Sequence, residues 1–170
     1  AHPQGVPLIV CATSGTTVLG AFDDVAAIAE VCRKYDLWLH VDASWGGAAA
    51  FLPLDAPERS VLAGLENAHS ITINPHKLLG VTHQCSFLLV HDKSVLIPPS
   101  HSDGGYLFHV PAEDALDMAT KTLGCGRRGD ALKFYLVWLR YGTQGLGDHI
   151  AHGLRMAQAL WQRLQLIPSL

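Results

Sequence analysis

Residues 8–42 read LIVCATSGTTVLGAFDDVAAIAEVCRKYDLWLHVD, and this stretch decides the fold. The short apolar run at 8–13 is typical of a buried β-strand that leads into a polar loop. Apolar residues then recur at helical spacing over 24–35, and the aspartates at the start of that segment offer an N-cap. The apolar run at 37–41 predicts a second buried strand. Strand, helix and strand make a βαβ unit, whose crossover implies parallel strands with helices covering the sheet.

The rest of the chain continues this alternation of strands and helices. Residues 70–73 and 85–90 predict a third and a fourth strand, joined by a polar connector, residues 74–84, that contains Pro and Gly. Helical spacing returns at 130–141 and again at 146–166. We therefore predict an α/β fold, with a mostly parallel sheet flanked by helices.

Composition and charge narrow the class of protein. With 170 residues, of which 49% are apolar and 16% charged, the chain can bury a substantial core. The formal net charge of -3 comes from scattered residues without a basic stripe, so nucleic acid is not expected as a partner. No apolar run approaches the roughly twenty residues that a membrane span needs, and the N-terminus does not resemble a signal peptide. We expect no membrane contact and a cytoplasmic location.

Cysteines and histidines give no sign of a metal site. Cys11, Cys32, Cys85 and Cys125 are widely spaced, which predicts reduced and mostly buried thiols. The ten histidines include no pair at helical i, i+4 spacing with a glutamate between them. We therefore predict no metal ligands.

Asp42 is the first residue that indicates chemistry. It closes the apolar run at 37–41, and the carboxyl end of a buried parallel strand is where open α/β sheets present ligand-binding groups. A carboxylate there can pair with a protonated pyridine nitrogen and so keep that ring an electron sink. The alternatives are a helix N-cap and a salt bridge with an arginine.

Lys77 is the second such residue. It follows the predicted strand 70–73 within Asn74-Pro75-His76-Lys77, at the end of the sheet and not on a solvated helix face. Partial shielding from water there would free its amine to attack an aldehyde. The alternative is an exposed charge in a turn.

Five blocks of sequence resemble the group II decarboxylases that depend on pyridoxal 5'-phosphate (PLP). They are SGTT at 14–17, LHVDASWGG at 39–47, NPHK at 74–77, QCS at 84–86 and GYLF at 105–108, in the family's order and spacing. The family contains the glutamate, cysteine sulfinate and aromatic amino-acid decarboxylases. The resemblance covers nearly the whole chain and implies the fold type I large domain of PLP enzymes.

The resemblance also implies roles for individual residues. Lys77 would be the catalytic lysine that holds PLP as a Schiff base, and Asp42 would pair with the pyridine nitrogen. Asn74 and His76 would help to hold the phosphate and the substrate-side geometry, and Thr17 would approach the cofactor from the loop after the first strand.

Ser44 departs from the family, which usually has alanine against one face of the pyridine ring. We count Ser44 among the cofactor-binding residues, because its hydroxyl is expected to reach the ring oxygen or a water. Arg127 and Arg128 resemble the family's Gly-Arg block, either as structural ion-pair formers or as site residues.

Tyr106 lies at the edge of a segment, residues 98–105, that is rich in Pro, Ser, Asp and Gly and predicts an exposed, mobile loop. It matches the tyrosine of the family's catalytic loop, which resembles a lid that supplies a proton to the α-carbon of the substrate. The alternative is an aromatic anchor that packs the end of the loop onto the body.

The predicted function is PLP-dependent α-decarboxylation of an acidic amino acid, namely cysteine sulfinate, glutamate or aspartate. Residues 18–23 and Trp45-Gly46-Gly47 look most like the cysteine sulfinate and glutamate decarboxylases. The alternatives are another fold type I PLP enzyme, such as an aminotransferase or a carbon-sulfur lyase, and a truncated non-catalytic paralogue. A nucleotide-binding domain lacks support, because no glycine-rich phosphate loop follows a strand.

The domain organisation is predicted to be incomplete. The chain begins at Ala1 and stops at Leu170 just after a helical pattern, so we expect both ends to be artificial. Residues 1–141 would form part of the PLP-binding large domain, and residues 142–170 a helix that leads to a C-terminal small domain. By resemblance the complete enzyme would be a homodimer, and this piece alone would be inactive.

Overall fold

A computed structural model describes residues 5–96 and 128–167 of the chain. Four strands form one sheet in the order β1-β2-β3-β4: β1 is Ile9–Thr13, β2 is Trp38–Asp42, β3 is Ser70–Ile73 and β4 is Phe87–Val90. The first three strands are parallel, and β4 pairs antiparallel with β3. The predicted α/β class with a mostly parallel sheet is confirmed, and β4 begins two residues later than predicted.

Helix α1, Val25–Lys34, makes the crossover between β1 and β2. The carboxylate of Asp24 accepts a hydrogen bond from the backbone N–H of Ala27 at 3.0 Å, which is the predicted N-cap. The helix packs on one face of the sheet through a buried cluster: Ala12, Val25, Ala29, Cys32, Leu37, Leu39, Val41, Ala43 and Ala68. Each fully buried large aliphatic side chain in it stabilises the fold by about 1.5–3 kcal/mol.

Helix α2, Asp130–Leu164, covers a second buried cluster, against which Phe87 of β4 also packs. It bends at Gly142, whose φ of 65° and ψ of 177° are not helical. The sequence predicts two helices separated between residues 141 and 146, and the bend falls within that gap. The cluster under α2 consists of Ala48, Leu52, Leu79, Val81, Cys85, Leu146 and Ile150.

Four short 3-10 helices were not predicted: Gly46–Phe51, Pro57–Leu62, Leu65–Asn67 and Lys93–Leu96. Such short helices span too few residues to show an apolar period, so the sequence does not indicate them. The first of them lies against β3, where a Cβ on Gly47 would approach a side-chain carbon of Ile73 to 2.9 Å.

The thiol prediction is confirmed in part. Cys32 and Cys85 are buried, but Cys11 is exposed because it points away from the α1 face of the sheet. Burial raises the pKa of the Cys85 thiol, and the nearby Asp130 carboxylate raises it further. Cys125 lies outside the described residues.

Other predictions fall on residues that the structure does not describe: the loop 98–105, Tyr106 and Arg127. Arg128 is described and exposed, and it forms no ion pair with another described residue. Within 5–96 and 128–167, no helix has the length and apolarity to cross a bilayer. The division into domains at residue 141 stays a prediction.

Candidate functional site

The candidate site lies at the edge of the sheet where the three parallel strands end. Asp42 is the last residue of β2, Ser14 follows β1 and Asn74 follows β3. Because parallel strands present their carboxyl ends to the same side, their three connections meet there. The sequence predicted this edge as the place of the chemistry.

Two of these connections are joined through their backbones. The N–H of Gly46, in the turn after β2, donates to the carbonyl of Ser14 at 3.0 Å. A Cβ on Gly46 would lie 2.3 Å from that carbonyl oxygen, so only glycine allows the approach. The loop after β1 therefore rests against the turn that carries the residues after Asp42.

Asp42 is held by the residue two positions later. Its Oδ1 accepts hydrogen bonds from the backbone N–H of Ser44 at 3.0 Å and from the hydroxyl of Ser44 at 2.5 Å. Burial raises the pKa of the Asp42 carboxyl, but these two hydrogen bonds and the charges of Lys77 and His40 lower it more. The pKa is below its ordinary value, so Asp42 is an anion at neutral pH.

Among the described residues, Asp42 forms neither of the two alternative arrangements. The carboxylate caps a turn, not a helix, and among the described residues it forms no ion pair with an arginine. Leu39 and Val41 on the same strand are buried, whereas Asp42 is exposed. It is therefore accessible to a ligand.

Lys77 lies in a turn that the backbone fixes at several points. Its N–H donates to the carbonyl of Asn74 at 2.9 Å, and its own carbonyl accepts from the N–H of Gly80 at 3.1 Å. The Nζ lies 5.1 Å from the centroid of the Trp45 ring, within cation–π distance. Lys77 is partly buried, so it is not the freely solvated charge of the alternative interpretation.

Trp45 and His40 are site residues whose positions the sequence analysis did not predict. Trp45 follows Ser44 directly and gives the Lys77 amine an aromatic surface. His40 shares a face of β2 with Asp42, and its ring nitrogens lie 2.8 Å from the hydroxyl of Ser70 and 3.3 Å from that of Thr72. The alternation of side chains along β2 would have indicated this face.

The structure also describes two other predicted site residues, His76 and Thr17, whereas Tyr106 lies outside the described residues. His76 turns its Nδ1 toward Cys85, whose backbone N–H lies 3.0 Å away. Thr17 is exposed on the loop after β1, and among the described residues no hydrogen bond joins its side chain to Asp42 or Lys77. The roles of His76, Thr17 and Tyr106 stay predictions.

Buried polar atoms around this edge fit a polar cofactor. Among the described residues, the hydroxyl oxygen of Ser14, the indole nitrogen of Trp45 and the side-chain oxygen of Asn74 are buried without a hydrogen-bond partner. Buried polar groups normally find partners, so these atoms are suited to a ligand. With an anionic Asp42 and a primary amine beside them, the edge has two groups that suit a pyridine aldehyde: a carboxylate for the ring nitrogen and an amine for the aldehyde.

Comparison with known proteins gives the family. The model of the pyridoxal-dependent decarboxylase conserved domain matches residues 2–167. The chain belongs to this family. The recognition made from the five sequence blocks is thereby confirmed, and so is PLP as the cofactor.

Individual members of the decarboxylase family are similar over almost the whole chain. An L-aspartate decarboxylase of Metarhizium robertsii is 46% identical over an alignment 171 residues long, which covers 99% of this chain and 34% of the relative. The human cysteine sulfinic acid decarboxylase is 46% identical over 94% of this chain and 32% of its own length. A crystal structure of mouse CSAD superposes with a TM-score of 0.83 at 43% identity, covering 96% of this chain and 33% of that one. The chain thus spans about a third of the length of these relatives.

Proposed function

We propose that the full-length protein is a PLP-dependent decarboxylase that removes the α-carboxylate of an acidic amino acid as carbon dioxide. The observation that carries the proposal is the position of Asp42 at the end of β2 and of Lys77 after the neighbouring strand β3. There the charge of Lys77 lowers the pKa of Asp42, and Nζ of Lys77 lies over Trp45. An anionic carboxylate and a primary amine on neighbouring connections are the two protein groups that PLP requires. The names of the relatives indicate aspartate and cysteine sulfinate as substrates, with glutamate as the third member of this class.

Each residue would have a distinct task. When bound, PLP supplies the electron sink for the bond that breaks. Asp42 would keep the ring nitrogen protonated, and Lys77 would hold the cofactor through its amine. Tyr106 would donate the proton to the α-carbon after carbon dioxide leaves.

The first experiment locates the cofactor. Full-length protein is incubated with PLP, reduced with borohydride and digested, and the modified peptide is identified by mass spectrometry. We expect phosphopyridoxyl on Lys77 and its loss in Lys77→Arg. The matched control is Lys34→Arg, because Lys34 lies on the surface at the end of α1 and should leave the adduct unchanged. An adduct on another lysine would overturn the site.

The second experiment identifies the substrate class. Carbon dioxide release is measured with L-aspartate, L-glutamate, L-cysteine sulfinate and L-tryptophan. We expect turnover of at least one acidic substrate and none of tryptophan. Transamination products without carbon dioxide would favour the alternative of another PLP enzyme. In a decarboxylase, Tyr106→Phe should abolish amine formation while PLP stays bound.

We further propose that the complete protein is a cytoplasmic homodimer and that the 170-residue chain alone is inactive. Exposed apolar side chains along α2 support an interface with further protein: Leu132, Leu136, Leu139, Leu160 and Trp161. Light scattering on the full-length protein tests the dimer, and a monomer at micromolar concentration would contradict it. The cytoplasmic location rests on composition and is tested by fractionation.

A further inference from the structure

Ser44 places two hydrogen-bond donors on one oxygen of Asp42. The residue is only 9% exposed and follows Ala43, which is fully buried. Its N–H and its hydroxyl both reach Oδ1, at 3.0 Å and 2.5 Å. Hydrogen bonds to a carboxylate are shorter and stronger than those between neutral groups. Ser44 therefore restricts the rotation of the Asp42 carboxylate.

The other oxygen of Asp42 has a different environment. Among the described residues, no hydrogen bond reaches Oδ2. We propose that Ser44 is a positioning residue, whose hydroxyl fixes Oδ1 of Asp42 and so leaves Oδ2 available to the ring nitrogen of the cofactor. This inference rests on the proposed function, because it concerns the same site.

The hydroxyl proton of Ser44 is committed to Asp42. A serine hydroxyl has one proton to donate, and here it points to Oδ1. The sequence prediction that Ser44 reaches the ring oxygen or a water is therefore refined: toward such a partner the hydroxyl can only accept. Where the family usually has a methyl group, this chain has a donor that acts through Asp42.

The charged groups around Asp42 are few enough for a clean test. Lys77 and His40 are the described groups whose charges act on its carboxyl, and both favour its ionised form. Neither changes when Ser44 is replaced by alanine. The hydroxyl is thus removed while the backbone N–H bond and both charges remain, so a shift in the titration of Asp42 reports on the hydroxyl alone.

The test uses pyridoxamine 5'-phosphate, which keeps the ring and the phosphate but lacks the aldehyde that reacts with Lys77. Its affinity for the cofactor-free full-length protein is measured by quenching of tryptophan fluorescence from pH 2.5 to pH 7, a range that includes the region below 3.8 where Asp42 titrates. Protonation of the probe's phosphate at about pH 6 weakens binding alike in every variant. At lower pH the affinity should fall again as Asp42 becomes protonated. In Ser44→Ala the acid limb should move to higher pH by a few tenths of a unit, because the ionised carboxylate loses a hydrogen bond.

Three further variants separate the hydroxyl from general damage. Ser44→Thr retains the hydroxyl and should keep the profile of the parent protein, whereas Ser44→Cys, similar in size but a weak donor, should shift like alanine. A second Asp-x-Ser turn follows β4, where the backbone N–H of Ser94 donates to Oδ1 of Asp92 at 2.8 Å. Ser94→Ala in that turn should leave the profile unchanged. Circular dichroism confirms that each variant is folded.

Each outcome decides something. A shifted limb in Ser44→Ala and Ser44→Cys, with the other two variants unchanged, supports the proposal. An unshifted limb, a uniform loss of affinity at every pH, or the same shift in Ser44→Thr overturns it and leaves the proposed function standing. Failure of the parent protein to bind the probe at any pH overturns the proposed function and this inference with it.

Discussion

The sequence Asp-x-Ser occurs twice at the end of a strand in this sheet. Asp42 and Ser44 stand at the end of β2, and Asp92 and Ser94 follow β4. In both turns the backbone N–H of the serine donates to Oδ1 of the aspartate, at 3.0 Å and 2.8 Å. In both turns the pKa of the aspartate is lowered, at Asp92 by the backbone N–H and the hydroxyl of Ser94.

The difference between the turns comes from the direction of their strands. Because β4 is antiparallel to β3, its end lies at the edge where the parallel strands begin, opposite Asp42. Asp42 therefore lies at the same edge as Lys77 and the connections after β1 and β3, and the charge of Lys77 acts on it, whereas Asp92 lies fully in solvent. An identical local motif becomes a candidate site only where the topology brings other reactive groups to it.

The strongest way to break this comparison is to neutralise each aspartate. In the full-length protein, Asp42→Asn removes the anion that keeps the ring nitrogen protonated, and we expect kcat/KM to fall by at least about 100-fold, as for the loss of other preorganised electrostatic contacts. Asp92→Asn should change it by less than about twofold, because surface substitutions rarely alter free energies by more than about 0.5 kcal/mol. Equal losses of kcat/KM in the two variants would show that the position of Asp42 at this edge of the sheet does not determine activity.

The strands that carry the two turns can be compared in the same way. Leu39 on β2 is fully buried, and Leu89 on β4 is 49% exposed. Leu39→Ala should lower the free energy of unfolding by about 3 kcal/mol, because it leaves a cavity between α1 and the sheet. Leu89→Ala should cost less than about 1 kcal/mol. Urea denaturation of the cofactor-free protein measures both.

The comparison of Leu39 with Leu89 depends on the exposure of β4 in the full-length protein. If Leu89→Ala proves as destabilising as Leu39→Ala, then protein outside the described residues covers β4 in the full-length molecule. The turn at Asp92 would then not be the solvent-exposed reference that the comparison requires.

Much of the fold was predictable because its strands and helices have strong local patterns. The apolar runs of β1, β2 and β3 and the helical spacing of α1 were each placed within one or two residues. The 3-10 helix Gly46–Phe51 was not predicted, because it depends on contacts between residues far apart in sequence. The exposure of Cys11 depends likewise on which face of the sheet α1 covers.

In the candidate site, too, some features were predictable from the sequence and others were not. The positions of Asp42 and Lys77 were predictable, since strand ends and their connectors can be located in the sequence. The hydrogen bond of Ser44 to Asp42 and the contact of Lys77 with Trp45 were not, because they depend on side-chain rotamers and on the packing of separate loops. Residue roles that involve the cofactor stay predictions until the binding experiments are done.

The smallest expected effect concerns stability and pH. Each aspartate has a folded-state pKa below its ordinary value of 3.8, so each turn stabilises the fold above that value, and the contribution is lost as pH falls through the folded pKa. Ser44→Ala should therefore lower the urea midpoint of the cofactor-free protein at pH 7 but much less at pH 3. Because Asp42 is exposed, solvent screening limits the difference to about 0.5 kcal/mol or less. Ser94→Ala should show the same sign with a smaller size, and an effect of Ser44→Ala that is equal at both pH values would mean that its hydroxyl stabilises the turn without acting on the charge of Asp42.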